Sequence, residues 1–181
     1  TLFIADEAYA EYVSDPNFKS MANLIQDGLD NVVLLKTFSK LYAMAGMRVG
    51  FAVGAPAIIK MMKDQVAGEK LNYPGVAAAL VSLDDEPFQE YSRASNLESR
   101  KILASCFDKL GVKYLPSSTN FMFFELNEPI RAFQEKMAAR NILVGRPFPP
   151  AMNWCRISLG TPQEMAYVAN ELMKMRAEGA F

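Results

Sequence analysis

An acid, a phenol, an amine and a guanidinium follow one another early in this chain. Asp6 and Tyr9 stand in Asp6-Glu7-Ala8-Tyr9, Lys40 in Thr37-Phe38-Ser39-Lys40, and Arg48 in Arg48-Val49-Gly50-Phe51. Each group has its own chemistry. A lysine amine that reaches an aldehyde condenses with it to a Schiff base, and once released it can carry a proton. A carboxylate beside a pyridine nitrogen keeps that nitrogen protonated, because an opposite charge favours the charged form. A tyrosine hydroxyl can donate to a phenolate oxygen. A guanidinium presents a rigid fork to a phosphate, and the hydroxyls of Thr37 and Ser39 add neutral donors. Gly46 and Gly50, on either side of Arg48, let the backbone come close to such a ligand.

Taken singly, these signals are weak. An acid after a strand is commonly a cap, a lone tyrosine is commonly a core residue with a wet tip, and a lone lysine is commonly a solvated charge. Their joint order is specific, since one ligand makes all four demands together: pyridoxal 5′-phosphate, whose ring acts as an electron sink. On this reading Lys40 is the catalytic amine, with Asp6, Tyr9, Thr37, Ser39 and Arg48 as its companions around the cofactor.

Such groups must be held by strand ends. Leu2 to Ala5 is a continuous apolar run, as in a parallel strand buried on both faces, and Asn31 to Lys36 is a second. Both would deliver their chemistry at the carboxyl edge of an open α/β sheet, where ligands bind. Phe51 to Gly54 reads as a third strand. Pro56 starts a helix that runs through Ile58, Ile59, Met61, Met62 and Val66, and Met21 to Gln26 reads as a short helix before Gly28. Strands alternating with helices predict a mostly parallel sheet over residues 1–88. Val76 to Leu83 is a helical stretch of small residues.

A long amphipathic helix is predicted from about Pro87 to Leu110, stopped by Gly111. Val112 to Leu115, Phe121 to Leu126, Leu143-Val144 and Arg156 to Leu159 read as strands, and Pro129 to Asn141 and Gln163 to Glu178 as helices. Residues 89–181 would then form a small α+β domain at the carboxyl end. No internal repeat or low-complexity tract interrupts it.

Composition narrows the field further. The 181 residues are 51% hydrophobic and 22% charged with a net charge of −1, which gives no reason to expect nucleic acid or an anionic membrane as partner. No apolar run approaches the roughly 18 residues of a membrane span. Histidine is absent, which removes Ser-His-Asp and Cys-His nucleophile systems and His-ligated zinc. Cys106 and Cys155 lack metal-type spacing and read as buried structural thiols, so a reducing, cytoplasmic setting is expected. The chain opens at Thr1 directly into a buried-strand pattern, so the expectation is the carboxyl-terminal part of a longer protein. A targeting peptide could have preceded Thr1.

The motifs Asp6-Glu7-Ala8-Tyr9, Thr37-Phe38-Ser39-Lys40 and Ala45-Gly46-Met47-Arg48-Val49-Gly50-Phe51, at these intervals, resemble the fold-type I, aspartate-aminotransferase-like pyridoxal phosphate enzymes. The resemblance covers the chain from Thr1 onward. It implies that Lys40 bonds the cofactor and moves the proton, Asp6 grips the pyridine nitrogen, Tyr9 the ring oxygen, and Thr37, Ser39 and Arg48 the phosphate. Ser118-Thr119-Asn120-Phe121 and Asn153-Trp154-Cys155-Arg156-Ile157-Ser158-Leu159-Gly160-Thr161, followed by Glu164, are most similar to the histidinol-phosphate aminotransferase branch. That branch implies Arg156 at the acidic end of the substrate, Arg146 at its phosphate and Asn120 near its polar end. It also implies an amino acid or amino phosphate as donor, a 2-oxo acid such as 2-oxoglutarate as acceptor, and a homodimer.

Val144-Gly145-Arg146-Pro147 departs from the Val-Arg-Asp pattern usual in that branch, and the stretch from Arg146 to Arg156 is short and proline-rich. The resemblance also implies that parts carried upstream are lacking: a loop over the phosphate, an aromatic stacked on the ring and an asparagine to its oxygen. On that basis these residues alone are expected to be inactive. Within the family, an aminotransferase for aromatic or other amino acids, or a decarboxylase, is the alternative. A catalytically silent ligand-binding member is the non-enzyme alternative. Asp6-Glu7 after an apolar strand could also serve a nucleotide hydrolase, but no G-x-x-x-x-G-K-[ST] loop accompanies it. Thr1 as a terminal nucleophile has no other support.

Overall fold

The computed structural model describes residues 1–66 and 71–181, which divide into two compact units, Thr1–Ser92 and Arg93–Phe181. In the first unit the apolar runs become strands β1 (Phe3–Asp6), β2 (Val32–Thr37) and β3 (Gly50–Gly54), hydrogen-bonded in the order β1-β2-β3. The central strand β2 is the most buried, and Val32, Val33 and Leu34 are at most 3% exposed. β1 and β2 run parallel, in a register that sets Asp6 opposite Leu35. The connection between them is long enough to include α1 (Met21–Gln26), as a parallel crossover requires.

Two expectations for this sheet change on contact with the structure. β3 pairs antiparallel with β2, Thr37 facing Gly50 and Val33 facing Gly54. Only residues 38–49 join these strands, holding a single 3-10 turn at Ala45–Met47, and without a crossover helix the chain returns antiparallel. Phe3 and Ile4 are 56% and 68% exposed rather than buried, since β1 pairs with β2 alone and forms a sheet edge in this chain. Helices α2 (Pro56–Asp64), α3 (Tyr73–Asp84) and the start of α4 (Glu86–Leu110) complete the unit, and Val66 falls beyond the end of α2.

In the second unit, α4, α5 (Ile130–Ala138) and α6 (Pro162–Ala177) enclose one core with the antiparallel pair β4 (Phe121–Glu125) and β5 (Trp154–Ser158). Phe107, Phe124 and Phe133 are fully buried there, the first pair with ring centres 4.5 Å apart. Alternate residues of β4, Met122 and Phe124, face that core, which is the period-two pattern of a half-buried strand. Thr161 and Glu164 form a reciprocal capping box at the start of α6. Val112 to Leu115 contributes only a single bridge, Tyr114 to Phe124, and Leu143-Val144 is irregular. Val112, Tyr114 and Val144 pack on the core without extending the sheet, while Leu143 is 89% exposed, so apolarity alone does not specify ladder pairing. Among the described residues, no helix is long and apolar enough to cross a membrane.

Candidate active site

The parallel strands β1 and β2 bring Asp6 and the segment Thr37–Lys40 to the same edge of the first sheet, as open α/β sheets place ligand groups. Asp6 is exposed, and one of its oxygens accepts the Ala8 amide at 3.0 Å, which fixes the turn after the strand. That turn leads to Tyr9, whose ring lies 5.1 Å from the Lys40 ammonium. The acid, phenol and amine of the sequence motif therefore converge within one unit.

The segment after β2 is held by its own hydroxyls. The Thr37 hydroxyl accepts the Ser39 amide at 3.1 Å, and the Phe38 amide donates to the Val49 carbonyl at 3.1 Å. Buried Phe38 and Leu41 anchor the segment on either side of Lys40. Arg48 has φ +56°, a left-handed conformation uncommon for a residue with a side chain. It donates to the Ala45 carbonyl at 2.9 Å and reaches the Ser39 hydroxyl at 3.5 Å. Gly50 is required next to it, because a Cβ there would approach the Lys36 carbonyl to 2.8 Å. The donor set, one acid, one phenol, one amine, two hydroxyls and one guanidinium, fits a phosphorylated pyridine aldehyde.

Beneath this edge lies an ion triad that reading the sequence did not single out. The Lys36 ammonium lies 3.1 Å from Glu7 and 3.0 Å from Glu11, with the three side chains 17%, 9% and 19% exposed. Glu7 also accepts the Ser20 hydroxyl and the Met21 amide, both at 2.7 Å. Burial alone would raise the Glu7 pKa, but the Met21 amide, Ser20 and Lys36 outweigh it and hold the carboxyl below its ordinary value. Burial would likewise lower Lys36, yet Glu11 and Glu7 hold it above the ordinary ammonium range. The triad ties the turn carrying Tyr9 to the strand leading to Lys40. The spacing of Glu7 and Glu11 was visible in the sequence, but their pairing with Lys36 needed the β1–β2 register.

The second unit holds the other three predicted residues. Arg156, on β5 opposite Phe123, lines a cavity of about 530 Å³ together with Ser117, Thr119, Phe121, Phe148 and Pro150. Its guanidinium is 4.9 Å from the ring centres of both Phe121 and Phe148. Arg146 is exposed and lies 4.4 Å from the Phe148 ring centre. Asn120 is half-buried at the start of β4, where its carbonyl accepts the Leu159 amide at 2.9 Å. Gly145 explains the departure from the expected arginine motif: its amide donates to the Arg156 carbonyl at 2.9 Å, and a Cβ would sit 2.5 Å from that oxygen. Arg146 and Arg156 thus share a ring, while Asn120 and Arg146 have no such common partner among the described residues. Phe148 escaped the sequence reading, because nothing local marks a phenylalanine as the meeting point of two arginines.

Comparison with known proteins accords with this geometry. The model of the family "Aminotransferase class I and II" matches residues 1–172. The histidinol-phosphate aminotransferase of Symbiobacterium thermophilum is 35% identical over 185 residues, covering 99% of this chain and 49% of the relative. That of Moorella thermoacetica is 34% identical over 143 residues, covering 79% and 37%. Among solved structures, the "Putative histidinol-phosphate aminotransferase" from Erwinia carotovora atroseptica superposes with TM-score 0.97 at 52% identity, covering 100% of this chain and 52% of the other. The Sinorhizobium meliloti histidinol-phosphate aminotransferase, solved in complex with pyridoxal-5′-phosphate, gives TM-score 0.86 at 26% identity, covering 98% and 49%. The chain spans about half the length of the curated relatives it matches. Its mixed α/β architecture is that of fold-type I enzymes. The chain belongs to the class I and II aminotransferase family.

Proposed function

We propose that the protein of which these residues are a part is a pyridoxal 5′-phosphate-dependent aminotransferase, with histidinol phosphate as amino donor and 2-oxoglutarate as acceptor. The observation that carries this reading is the convergence of Asp6, Tyr9 and Lys40 at one sheet edge, with the Lys40 ammonium 5.1 Å from the Tyr9 ring. The names of the relatives, histidinol-phosphate aminotransferases at about a third identity, support the choice of donor. The bound cofactor would supply an electron sink for the carbanion formed at the substrate α-carbon.

The residues divide the remaining work. Asp6 would hold a proton on the pyridine nitrogen by charge pairing, and Tyr9 would donate to the ring oxygen. Thr37, Ser39 and Arg48 would grip the phosphate and fix the ring plane. Lys40 would serve as the base that takes the proton from the substrate α-carbon and later returns it. Arg156 would bind the acidic end of the substrate, which in histidinol phosphate is its phosphate, and Arg146 would help hold that phosphate, with Asn120 near the substrate's polar end. Remote binding energy of this kind becomes orientation of the α-carbon–hydrogen bond to be broken. We place residues 1–88 in a cofactor-binding large domain and 89–181 in a small domain, and expect a cytoplasmic homodimer.

A spectral titration of the intact polypeptide with histidinol phosphate, phenylalanine and glutamate tests the proposal. Histidinol phosphate should change the cofactor spectrum at the lowest concentration and support turnover with 2-oxoglutarate. Lys40→Ala should remove the visible absorbance and lower turnover at least ~1,000-fold, within the range for loss of a positioned base. A response to phenylalanine alone would move the assignment to an aromatic aminotransferase. Undiminished turnover in Lys40→Ala would refute the enzyme mechanism.

A further inference from the structure

We propose that Phe148 is a positioning residue for anion selectivity: its ring holds the Arg146 and Arg156 guanidiniums together as one receptor for a dianion. The inference rests on the functional reading above, which assigns an acidic substrate to these arginines. Arg146 and Arg156 come from different backbone settings, an exposed loop and strand β5, yet stand 4.4 and 4.9 Å from the same ring centre. Like charges so placed repel one another, the more so beside an apolar surface. The negative face of an aromatic ring offsets part of that repulsion, and guanidiniums stack on such faces readily.

The electrostatic setting leaves the pair available. Among the described residues, neither guanidinium lies within ion-pair distance of a carboxylate. Arg146 donates to the neighbouring Pro147 carbonyl at 3.3 Å, a long and weak bond. The adjoining cavity has no acidic lining residue among those described, and Phe121, Phe123, Phe148 and Pro150 give it an apolar wall. The Ser117 and Thr119 hydroxyls bond to one another and to the Phe121 carbonyl, so they make no strong competing claim on an anion. The ring itself is held in place: Phe123 meets it edge-on at 6.0 Å, and the Phe148 carbonyl accepts the Ala151 amide at 2.8 Å. An apolar body carrying a doubly charged group, as in a phosphate monoester, matches this arrangement better than one carrying a single carboxylate.

The test uses two small probes with the same apolar body, phenyl phosphate and benzoate, bound to the intact cofactor-loaded protein and followed by calorimetry at pH above the second phosphate ionisation near ~6. The wild type should prefer phenyl phosphate by about tenfold or more. Phe148→Leu keeps bulk and removes the ring face, and should cut that preference about fivefold, the scale of one partly desolvated cation–ring contact. Phe148→Tyr should keep it within about twofold. Should Phe148→Leu fold poorly, Phe148→Met gives the second route, again keeping bulk without a ring face, with the same loss of preference. A wild type that binds both probes with no preference overturns the inference and leaves the acidic-substrate reading standing, whereas one that binds neither overturns that reading as well. A preferring wild type whose Phe148→Leu form, folded by its melting temperature, keeps the ratio overturns the role of Phe148 alone.

Discussion

Replacing Lys36 by methionine removes the one cation of the Lys36–Glu7–Glu11 triad while keeping most of the side chain's volume. The lysine is 3.1 and 3.0 Å from the two carboxylates, and all three side chains are at least four-fifths covered. At an effective dielectric of ~20, each contact is worth roughly 5 kcal/mol of Coulomb energy before desolvation is subtracted. Breaking a fully buried pair costs about 3–5 kcal/mol, whereas an exposed pair contributes ~1 kcal/mol or less. For this mostly covered triad, about 2–3 kcal/mol is expected. In a chain of this size that corresponds to a fall in Tm of roughly 5–10 °C.

The pH dependence makes the prediction sharper. Glu7 is held below its ordinary value of 4.5, so its contribution is complete above that pH and is lost as pH falls through the lowered value. Lys36 is held above its ordinary 10.5, so its contribution is complete below 10.5 and is lost as pH rises through the higher folded value. The difference in Tm between wild type and Lys36→Met should therefore be widest between those limits and shrink on acidification. Thermal unfolding by circular dichroism, repeated across that range, measures it. Lys36→Arg should recover a good part of the loss. A fall of under about 2 °C at neutral pH, or one that persists unchanged once Glu7 is protonated, would refute the assignment.

Other expectations concern the second unit. Arg156→Ala should raise KM for phosphate- or carboxylate-bearing substrates about 10- to 100-fold with a smaller change in kcat, the scale of a lost charge-assisted hydrogen bond. Steady-state kinetics with acidic and neutral amino donors would separate this from a general loss of activity. Gly145→Ala places a methyl group 2.5 Å from the Arg156 carbonyl and should displace the loop that carries Arg146. It should cost about 1–3 kcal/mol of stability, read as a lower Tm, and raise KM for the same acidic substrates. A Gly145→Ala variant as stable as wild type would show that the loop yields without strain.

Much of this protein was legible in its sequence. The short helix Met21–Gln26 matches its expected bounds, and the strands that lead to Asp6 and Lys40 lie within a residue or so of the apolar runs that predicted them. These elements are fixed by local pattern: the buried part of the central strand is apolar, and Pro56 marks a helix start because it has no amide to leave unpaired. The order acid, phenol, amine, guanidinium was likewise readable, because strand ends in an open α/β sheet deliver residues to one edge whatever lies between.

Tertiary structure decided what depends on partners far apart in the chain. The direction of β3 followed from a connection that holds no crossover helix, and the exposure of β1 from its having one neighbour in place of two. The pairing of Lys36 with Glu7 and Glu11 needed a strand register, and the meeting of Arg146 and Arg156 over Phe148 needed a loop folded back on a strand. Side-chain chemistry is written locally, one residue at a time. Electrostatic and aromatic contacts act through space over a few ångströms, so which residues share them is settled only when the backbone has closed.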